Sequence, residues 1–291
     1  MSKSIDIRLE QAGLSRVASQ LKALALPSIR LVRRATQDEL LPIGVSKLGG
    51  APDLAPEVAW PTWNGMPLAF VAQINLAEVP ILQEGISLLP STGLLSFFSD
   101  AEQTALAGYD PAMRGGWRVL YDDGEVSRLQ RHPVPATLLE DELPERYFTP
   151  CALTFSVSIM YPYVRSLPVE ALHLSEQEFH AYWDVLSTLR QEDHEPRHHL
   201  LGYPDALQGD MQVESQLVSH GLYFGDGWPT DQTRVGQLLS GVQDWQLLLQ
   251  LETDPEAEME WGIEGRIYYW IQTQALQSRD FENVWCMTQW A

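Results

Sequence analysis

Histidines are the side chains in this sequence whose type and spacing come closest to a metal site. His194, His198 and His199 lie in the stretch EDHEPRHH, and imidazoles four residues apart on a helix can bind one zinc ion. Pro196 lies between them and breaks a helix, so the spacing loses that geometry. The sequence also contains no H-E-x-x-H and no C-x-x-C motif. We therefore predict a solvated histidine loop without a metal, and no cofactor is predicted.

Acidic residues form a second polar cluster in the stretch ETDPEAEMEWGIEG. The carboxylates fall within thirteen residues and are Glu252, Asp254, Glu256, Glu258, Glu260 and Glu264. A calcium loop needs the order D-x-[DN]-x-[DN]-G followed by a bidentate Glu, which is missing here. We expect a solvated hairpin tip.

Nucleophilic catalysis finds no support in the sequence. Cys151 and Cys286 lie in the apolar stretches TPCALTF and NVWCMTQ, which favour buried, unreactive thiols in a reducing compartment. The G-x-S-x-G motif of hydrolases does not occur. Carboxylate pairs of the glycosidase type remain open, because their spacing cannot be read from sequence. No catalytic motif is identified, and we favour a protein that is not an enzyme.

Two similar turns are each followed by a glutamine inside an apolar run. Gly50-Ala51-Pro52-Asp53 precedes FVAQIN, which contains Gln73, and Gly202-Tyr203-Pro204-Asp205 precedes LLLQLE, which contains Gln250. A glycine then opens an aromatic strand in both places, GLLSFF and GRIYYW. Three features in the same order predict an internal duplication.

The role of the two glutamines has two interpretations. An unpaired amide buried in a strand costs about 1–3 kcal/mol, so each side chain needs a partner, and the turn backbone is the nearest candidate. The functional alternative places both glutamines on the floor of a ligand cleft between the two pseudo-repeats. The residues of that candidate cleft are Asp53, Gln73, Asp205, Gln208, Gln250 and Trp261.

The elements that position these residues are mainly strands. Apolar spacing predicts an N-terminal helix over 7–25, and the capping box SEQE predicts an inserted helix over about 175–191. Runs such as LAFVAQINL, GWRVLYDD and ALTFSVSIMYP predict strands. No strand–helix–strand alternation is present. We predict one domain over 1–291, an α+β, β-dominated fold of mainly antiparallel sheets in a roll-like arrangement, with pseudo-repeated halves at about 26–165 and 197–291.

The charge of the chain is strongly acidic and unevenly distributed. The 291 residues carry 19 Lys and Arg against 39 Asp and Glu, a formal net charge of −20. Residues 1–47 carry a balance of +4, so the remaining chain carries −24. Such a field repels phosphate backbones and anionic lipids, so nucleic acid and membranes are not predicted partners. It attracts a basic protein. The lack of an apolar leader or a long apolar run favours a cytoplasmic, soluble protein.

The sequence resembles the YwqG-like family of bacterial proteins, a domain of unknown function. The resemblance runs from about residue 14 to the C-terminus and rests on SKLGGAPDLAPEVAWP, PLAFVAQINL, HHLLGYPDALQGDM and the WGIEGRIYYWIQ stretch. Ile263 departs from it, because the family tends to carry an acidic residue there. The resemblance implies a β-rich roll fold. It assigns no reaction, so no catalytic residue is transferred.

Two classes of function follow. The first is a cytosolic acidic protein that binds a basic protein, for example as an immunity-type or regulatory partner. The alternative is a sensor or enzyme with a small-ligand cleft between the pseudo-repeats. A ligand binder should show a concave pocket with converging polar groups, whereas an interaction module should show a broad acidic surface. The sequence does not indicate the oligomeric state.

Overall fold

A computed structural model describes residues 5–82, 89–140, 146–192 and 196–291. Its main element is a ten-stranded sheet in which neighbouring strands are antiparallel. Two small two-stranded sheets accompany it. The strands are β1 Leu26–Ala35, β2 Lys47–Leu48, β3 Asp53–Leu54, β4 Thr62–Trp63, β5 Met66–Pro67, β6 Ala69–Asn75, β7 Leu94–Ser99, β8 Trp117–Asp122, β9 Gln130–Arg131, β10 Cys151–Met160, β11 His199–Leu200, β12 Trp245–Glu252, β13 Arg266–Gln272 and β14 Trp285–Gln289. The β-dominated, antiparallel α+β class is confirmed.

Helices are short and lie around the sheet. They are α1 Ile5–Gln11, α2 Ala18–Ala23, α3 Leu167–Glu170, α4 Glu176–Gln191, α5 Gln212–Ser219, α6 Gln232–Leu238 and α7 Thr273–Gln277. Short 3₁₀ turns connect several strands, and the longest is Leu239–Asp244. Within the part of the chain that the structure describes, no helix has the length and apolar character needed to cross a membrane.

The centre of the large sheet is the antiparallel pair β1 and β10, which matches ten residues with ten, from Leu26–Met160 to Ala35–Cys151. On one side follow β11, β12, β13 and β14, and on the other β2, β6, β7 and β8. Each side is therefore a two-residue strand followed by a meander of three longer strands. The short strands attach crosswise, because β2 pairs with β10 whereas β11 pairs with β1.

Strands β6 and β13 do not alternate between buried and exposed residues, as the strands of a sheet with one solvated face would. In β6 and in β13 every residue except the last is buried. Both faces of the sheet are covered at these strands, so both faces contribute to the core. One apolar cluster extends across the two meanders, and Phe97 of β7 contacts Tyr269 of β13 with ring centroids 5.1 Å apart.

The two Gly-x-Pro-Asp turns are held by the same hydrogen bond. The amide of Asp53 donates to Gln73 Oε1 at 2.9 Å, and the amide of Asp205 donates to Gln250 Oε1 at 2.8 Å. Both glutamine side chains are fully buried. The expected pairing of each buried amide with the turn backbone is confirmed.

The backbone around the two turns matches as well. Residues 49–50 have φ of 56° and 72°, and residues 201–202 have φ of 59° and 73°. The strand that carries each glutamine is irregular just before it, at 70–72 in β6 and at 247–249 in β12. Leu201 adopts a left-handed conformation that costs energy for a residue with a side chain, so the turn geometry overrides local preference there.

The N-terminal segment differs from the single helix predicted over 7–25. It forms α1 and α2 with a break between them, where Gly13 has φ of +79°. The apolar spacing still identified the buried side correctly, since Leu9, Leu14, Val17 and Leu21 pack in one cluster with Tyr182 and Val185 of α4. The position of the break was missed because Gly13 lies within an otherwise regular apolar pattern.

The inserted helix begins as the capping box predicts. Ser175 Oγ accepts a hydrogen bond from the amide of Glu178 at 3.3 Å, and the Glu178 carboxylate accepts one from the amide of Ser175 at 2.9 Å. Two amides at the helix start are thereby paired. The resulting α4 continues to Gln191, in agreement with the predicted end.

Replacement of either buried glutamine by leucine tests its structural role. In Gln73→Leu and in Gln250→Leu the turn amide of Asp53 or Asp205 loses its acceptor inside the protein. We expect each variant to lower the free energy of unfolding by about 1–3 kcal/mol, measured by urea denaturation. The control is Gln130→Leu, because Gln130 is exposed on β9. Two buried variants as stable as the control would contradict this role.

Glu214 predicts a pH dependence of stability. Burial, with a smaller effect of Asp210, raises the pKa of Glu214 to about 7, and its Oε2 has no hydrogen-bond partner among the described residues. Because the folded pKa lies above the usual 4.5, ionisation destabilises the folded state progressively between pH 4.5 and 7. Glu214→Gln should therefore raise the free energy of unfolding at pH 8 by about 1–3 kcal/mol and change it little at pH 4.5.

The measurement is urea unfolding at both pH values. Glu10→Gln serves as the control, because Glu10 is exposed on α1. An equal effect of Glu214→Gln at both pH values would rule out the ionisation of Glu214 as the cause.

Candidate ligand-binding site

Asp53 and Gln73 are tied into the scaffold at the first turn. The buried Asp53 carboxylate accepts hydrogen bonds from Gly44 N at 2.8 Å, Gln73 Nε2 at 2.7 Å and Arg131 Nε at 2.8 Å. Burial raises the pKa of Asp53, but the bonds from Arg131, Gly44 and Gln73 outweigh it, so this pKa lies below its usual value. Three donors of the protein thus bind this carboxylate, as expected for a structural role.

Gln208 and Trp261 lie apart from the other predicted cleft residues. Gln208 is exposed, and its Nε2 donates to the carbonyl of Trp290 at 2.8 Å. Trp261 is 1% exposed and packs on Phe148 with ring centroids 5.3 Å apart. Trp261 is therefore a core residue.

The six predicted residues do not share one cavity. Asp53 lines a cavity of about 380 Å³ beside β8, and Asp205 lines another of about 380 Å³ between α4 and the central strands. Gln73, Gln250 and the two residues described above line neither. Asp205 is thus the member of the predicted set that reaches the cavity between α4 and the sheet, called here the α4 pocket.

The α4 pocket is formed by strands β1, β10 and β11, the second turn and one face of α4. Its polar lining residues include Ser28, Arg30, Ser158, Arg190, Arg197 and Asp205. Its aromatic lining residues are Tyr161, Tyr163 and Trp183. The volume lies within the range of small-molecule sites, and both polar and aromatic groups converge on it.

Two faces of α4 have different roles. Tyr182 and Val185 are buried against the N-terminal helices. Trp183, Ser187 and Arg190, spaced by four and three residues, line the α4 pocket. The same spacing that forms a helix face therefore brings a ring, a hydroxyl and a guanidinium to one cavity.

Arginines surround the carboxylate of Asp205. Its Oδ2 lies 3.4 Å from an Nη of Arg197, 3.5 Å from Nε of Arg190 and 3.4 Å from an Nη of Arg266. Glu252 lies behind it, accepts hydrogen bonds from the Arg266 side chain and from the amide of Arg197, and has a pKa that burial raises. This inner group combines three guanidinium groups with two carboxylates.

More charged residues surround this inner group. At the rim, Arg8 binds Glu192 at 2.8 Å, and Arg30 lines the pocket. Arg8, Arg30 and Arg197 have further interaction partners. Arg266 is 1% exposed, and its Nε and Nη1 have no partner among the described residues. In a protein of net charge −20, the pocket is thus lined by three arginines, Arg30, Arg190 and Arg197, beside the carboxylates of Glu192 and Asp205.

His199 lines the α4 pocket but is locked to the backbone. Its Nδ1 lies 3.0 Å from the carbonyl oxygen of Arg197, and its Nε2 lies 3.0 Å from that of Tyr203. Burial lowers the pKa of His199, and the two carbonyl oxygens act in the opposite direction. Lys47 has a similar position at the first turn, where its Nζ donates to the carbonyl of Ala51. Neither ring nitrogen of His199 is available as a general base.

The predicted solvated loop is wrong for His198 and His199, which are buried. His198 Nε2 lies 3.0 Å from Asp254 Oδ2, and Arg33 Nε lies 2.5 Å from the same oxygen. Burial raises the pKa of Asp254, but His198 and Arg33 lower it to about 2. Asp254 is therefore buried and ionised, not part of a solvated hairpin tip. His194 lies outside the described residues.

A smaller cavity of about 80 Å³ adjoins the α4 pocket. The two share the walls Tyr163, Pro204 and Ala206. Ser166 and Trp270 line the smaller cavity, and Ser166 Oγ and Trp270 Nε1 have no partner among the described residues. Its volume has room for about two water molecules.

The α4 pocket brings guanidinium, carboxylate, hydroxyl and aromatic groups together. Its histidine, His199, has both ring nitrogens 3.0 Å from backbone carbonyl oxygens. The free thiols are buried, and burial raises the pKa of Cys151 to about 11, so that thiol is protonated at neutral pH. Over the described ranges, no group of three or more His, Cys, Asp or Glu side chains is arranged to hold a metal ion.

The residues that dominate this pocket were missed by the sequence motifs. Arg30, Arg190, Arg197 and Trp183 belong to no catalytic or metal signature. Two signals were available. Arg30 alternates with apolar residues in a strand of an acidic protein, and Trp183 and Arg190 lie about 100° and 80° around α4 from the buried Tyr182, on a neighbouring face.

Comparison with known proteins gives a family without an assigned activity. None of the curated proteins matches the chain. A family model described as a domain of unknown function (DUF1963) matches residues 46–289. The match includes both Gly-x-Pro-Asp turns, both meanders and α4. The chain therefore belongs to the DUF1963 family.

Proposed function

We propose that this protein binds a small anionic molecule in the α4 pocket, and that it acts as a ligand-binding protein. The observation that carries the proposal is the cluster of arginines on one cavity of about 380 Å³. Guanidinium groups bind carboxylates and phosphates through paired, charge-assisted hydrogen bonds. Asp205 and Glu252 hold Arg190 and Arg266 in place, and Arg190, which is 35% exposed, offers guanidinium N–H groups to an anion in the pocket.

The position of the pocket agrees with a cleft between two related halves. By the predicted halves, β1 and β10 belong to the first and β11 to the second, while α4 lies in the segment between them, and all four contribute to the pocket. The matched turn hydrogen bonds, the matched left-handed residues and the matched strand order support a duplicated origin of residues 26–165 and 197–291. We also propose that the chain is YwqG-like within its family. A cytoplasmic location is a further part of the proposal and is supported by two free, buried cysteines.

Removal of one guanidinium tests anion binding. Arg190 is 35% exposed at the pocket, so Arg190→Ala should fold normally. We expect at least one of phosphate, citrate and benzoate to raise the melting temperature of the wild-type protein. Arg190→Ala should bind that anion about 10- to 150-fold more weakly than the wild-type protein, measured by calorimetry.

The control is Arg118→Ala, because Arg118 is exposed on β8, away from the pocket. Benzamide, which has the ring of benzoate without its charge, controls for apolar binding. The proposal fails if no anionic probe binds, or if Arg190→Ala and Arg118→Ala bind equally well.

A second candidate function is association with a basic protein. The net charge of −20 favours it, because opposite charge accelerates encounter. Three carboxylates, Asp122, Asp280 and Glu282, meet one arginine, Arg279, at the cavity beside β8, next to the rings of Tyr121 and Phe281. An acidic rim around aromatic rings fits a basic, partly apolar segment.

This second candidate has its own test. A peptide of alternating arginine and leucine should bind the wild-type protein with one-to-one stoichiometry. The double variant Asp280→Asn with Glu282→Gln should bind this peptide about tenfold more weakly. The matched control is the double variant Glu176→Gln with Asp231→Asn, because both residues are exposed. Equal loss in both variants would show unspecific charge attraction only.

A further inference from the structure

The aromatic wall of the α4 pocket indicates the class of its ligand. Trp183 is 43% exposed, whereas Tyr182 and Val185 of the same helix are buried against the N-terminal helices. Its ring meets Tyr163 edge-on, with centroids 5.9 Å apart and an interplanar angle of 72°. Tyr161 lines the same cavity. A large ring surface is therefore directed to the space that the arginines also face.

The spacing along α4 sets the distance between the two kinds of group. Trp183 and Arg190 are seven residues apart, which is two helical turns and about 10 Å along the axis. Ser187 lies between them on the same face. A ligand that contacts both ends must carry its charge several ångströms from its apolar part.

We propose that the ligand is an aromatic anion, with a planar ring against Trp183 and a carboxylate or phosphate at the arginines. This inference rests on the proposed function and names its ligand class. Aromatic pairs gain from edge-to-face and offset-stacked contacts beyond the burial of apolar area, so the wall favours a planar ring over a saturated one.

A matched pair of probes tests this ligand class. 3-Phenylpropionate and 3-cyclohexylpropionate have the same charge and chain length and differ in the ring. We expect the wild-type protein to bind the phenyl compound about 2- to 12-fold more tightly, measured by calorimetry. Phenyl phosphate, in a separate arm, shows whether a phosphate replaces the carboxylate.

Two variants of Trp183 connect the preference with the ring. Trp183→Leu should remove the preference for the phenyl compound and retain binding of both, whereas Trp183→Phe should retain the preference. Thermal unfolding verifies that both variants fold. 3-Phenylpropanol, which has no charge, should bind at least tenfold more weakly than the acid.

The outcomes separate this inference from the proposed function. If none of the anions binds, the proposed function fails. If the phenyl and cyclohexyl acids bind equally, or if Trp183→Leu retains the preference, the anion site stands and the aromatic ligand is ruled out.

Discussion

The pairing of β1 with β10 is the constraint on which the rest of the sheet depends. These ten residue pairs form the only strand ladder that connects the two meanders within the described sheet. β2 follows β1 in the chain but pairs with β10. In the same way, β11 follows β10 but pairs with β1. The meander β6–β8 is thus joined through β2 to β10, and the meander β12–β14 is joined through β11 to β1, so both meanders depend on the same ladder.

The lengths of two connections in the chain explain why the first Gly-x-Pro-Asp turn is covered by protein whereas the second borders the α4 pocket. Only residues 36–46 connect β1 to β2, whereas residues 161–198 connect β10 to β11 and include α3 and α4. At the first turn Arg131 of β9 covers the carboxylate of Asp53. At the second turn Asp205 faces arginines from the helix and strands instead. The longer connection thus adds a wall above the sheet and leaves a cavity between them.

Much of the fold followed from local pattern. The main strands and the start of α4 were predictable, because apolar runs bounded by Gly or Pro and a capping box are local signals. The broken N-terminal helix, α5 and β14 were not assigned. The burial of Asp254 was not predictable either, because its partner Arg33 lies 221 positions away. For the same reason the arginines of the α4 pocket could not be grouped before the strand order was known.

The local and the overall charge of the molecule act over different distances. At physiological ionic strength the Debye length is about 8 Å, so most of the surface carboxylates that give the net charge of −20 are screened from a ligand inside the pocket. The arginines around Asp205 lie within contact distance of such a ligand, in a partly enclosed space where attraction is screened least. An acidic protein can therefore hold an anion at one point of its surface. Under the proposed function, the acidic exterior would repel anions that approach elsewhere, and the arginines beneath α4 would confine anion binding to that cavity.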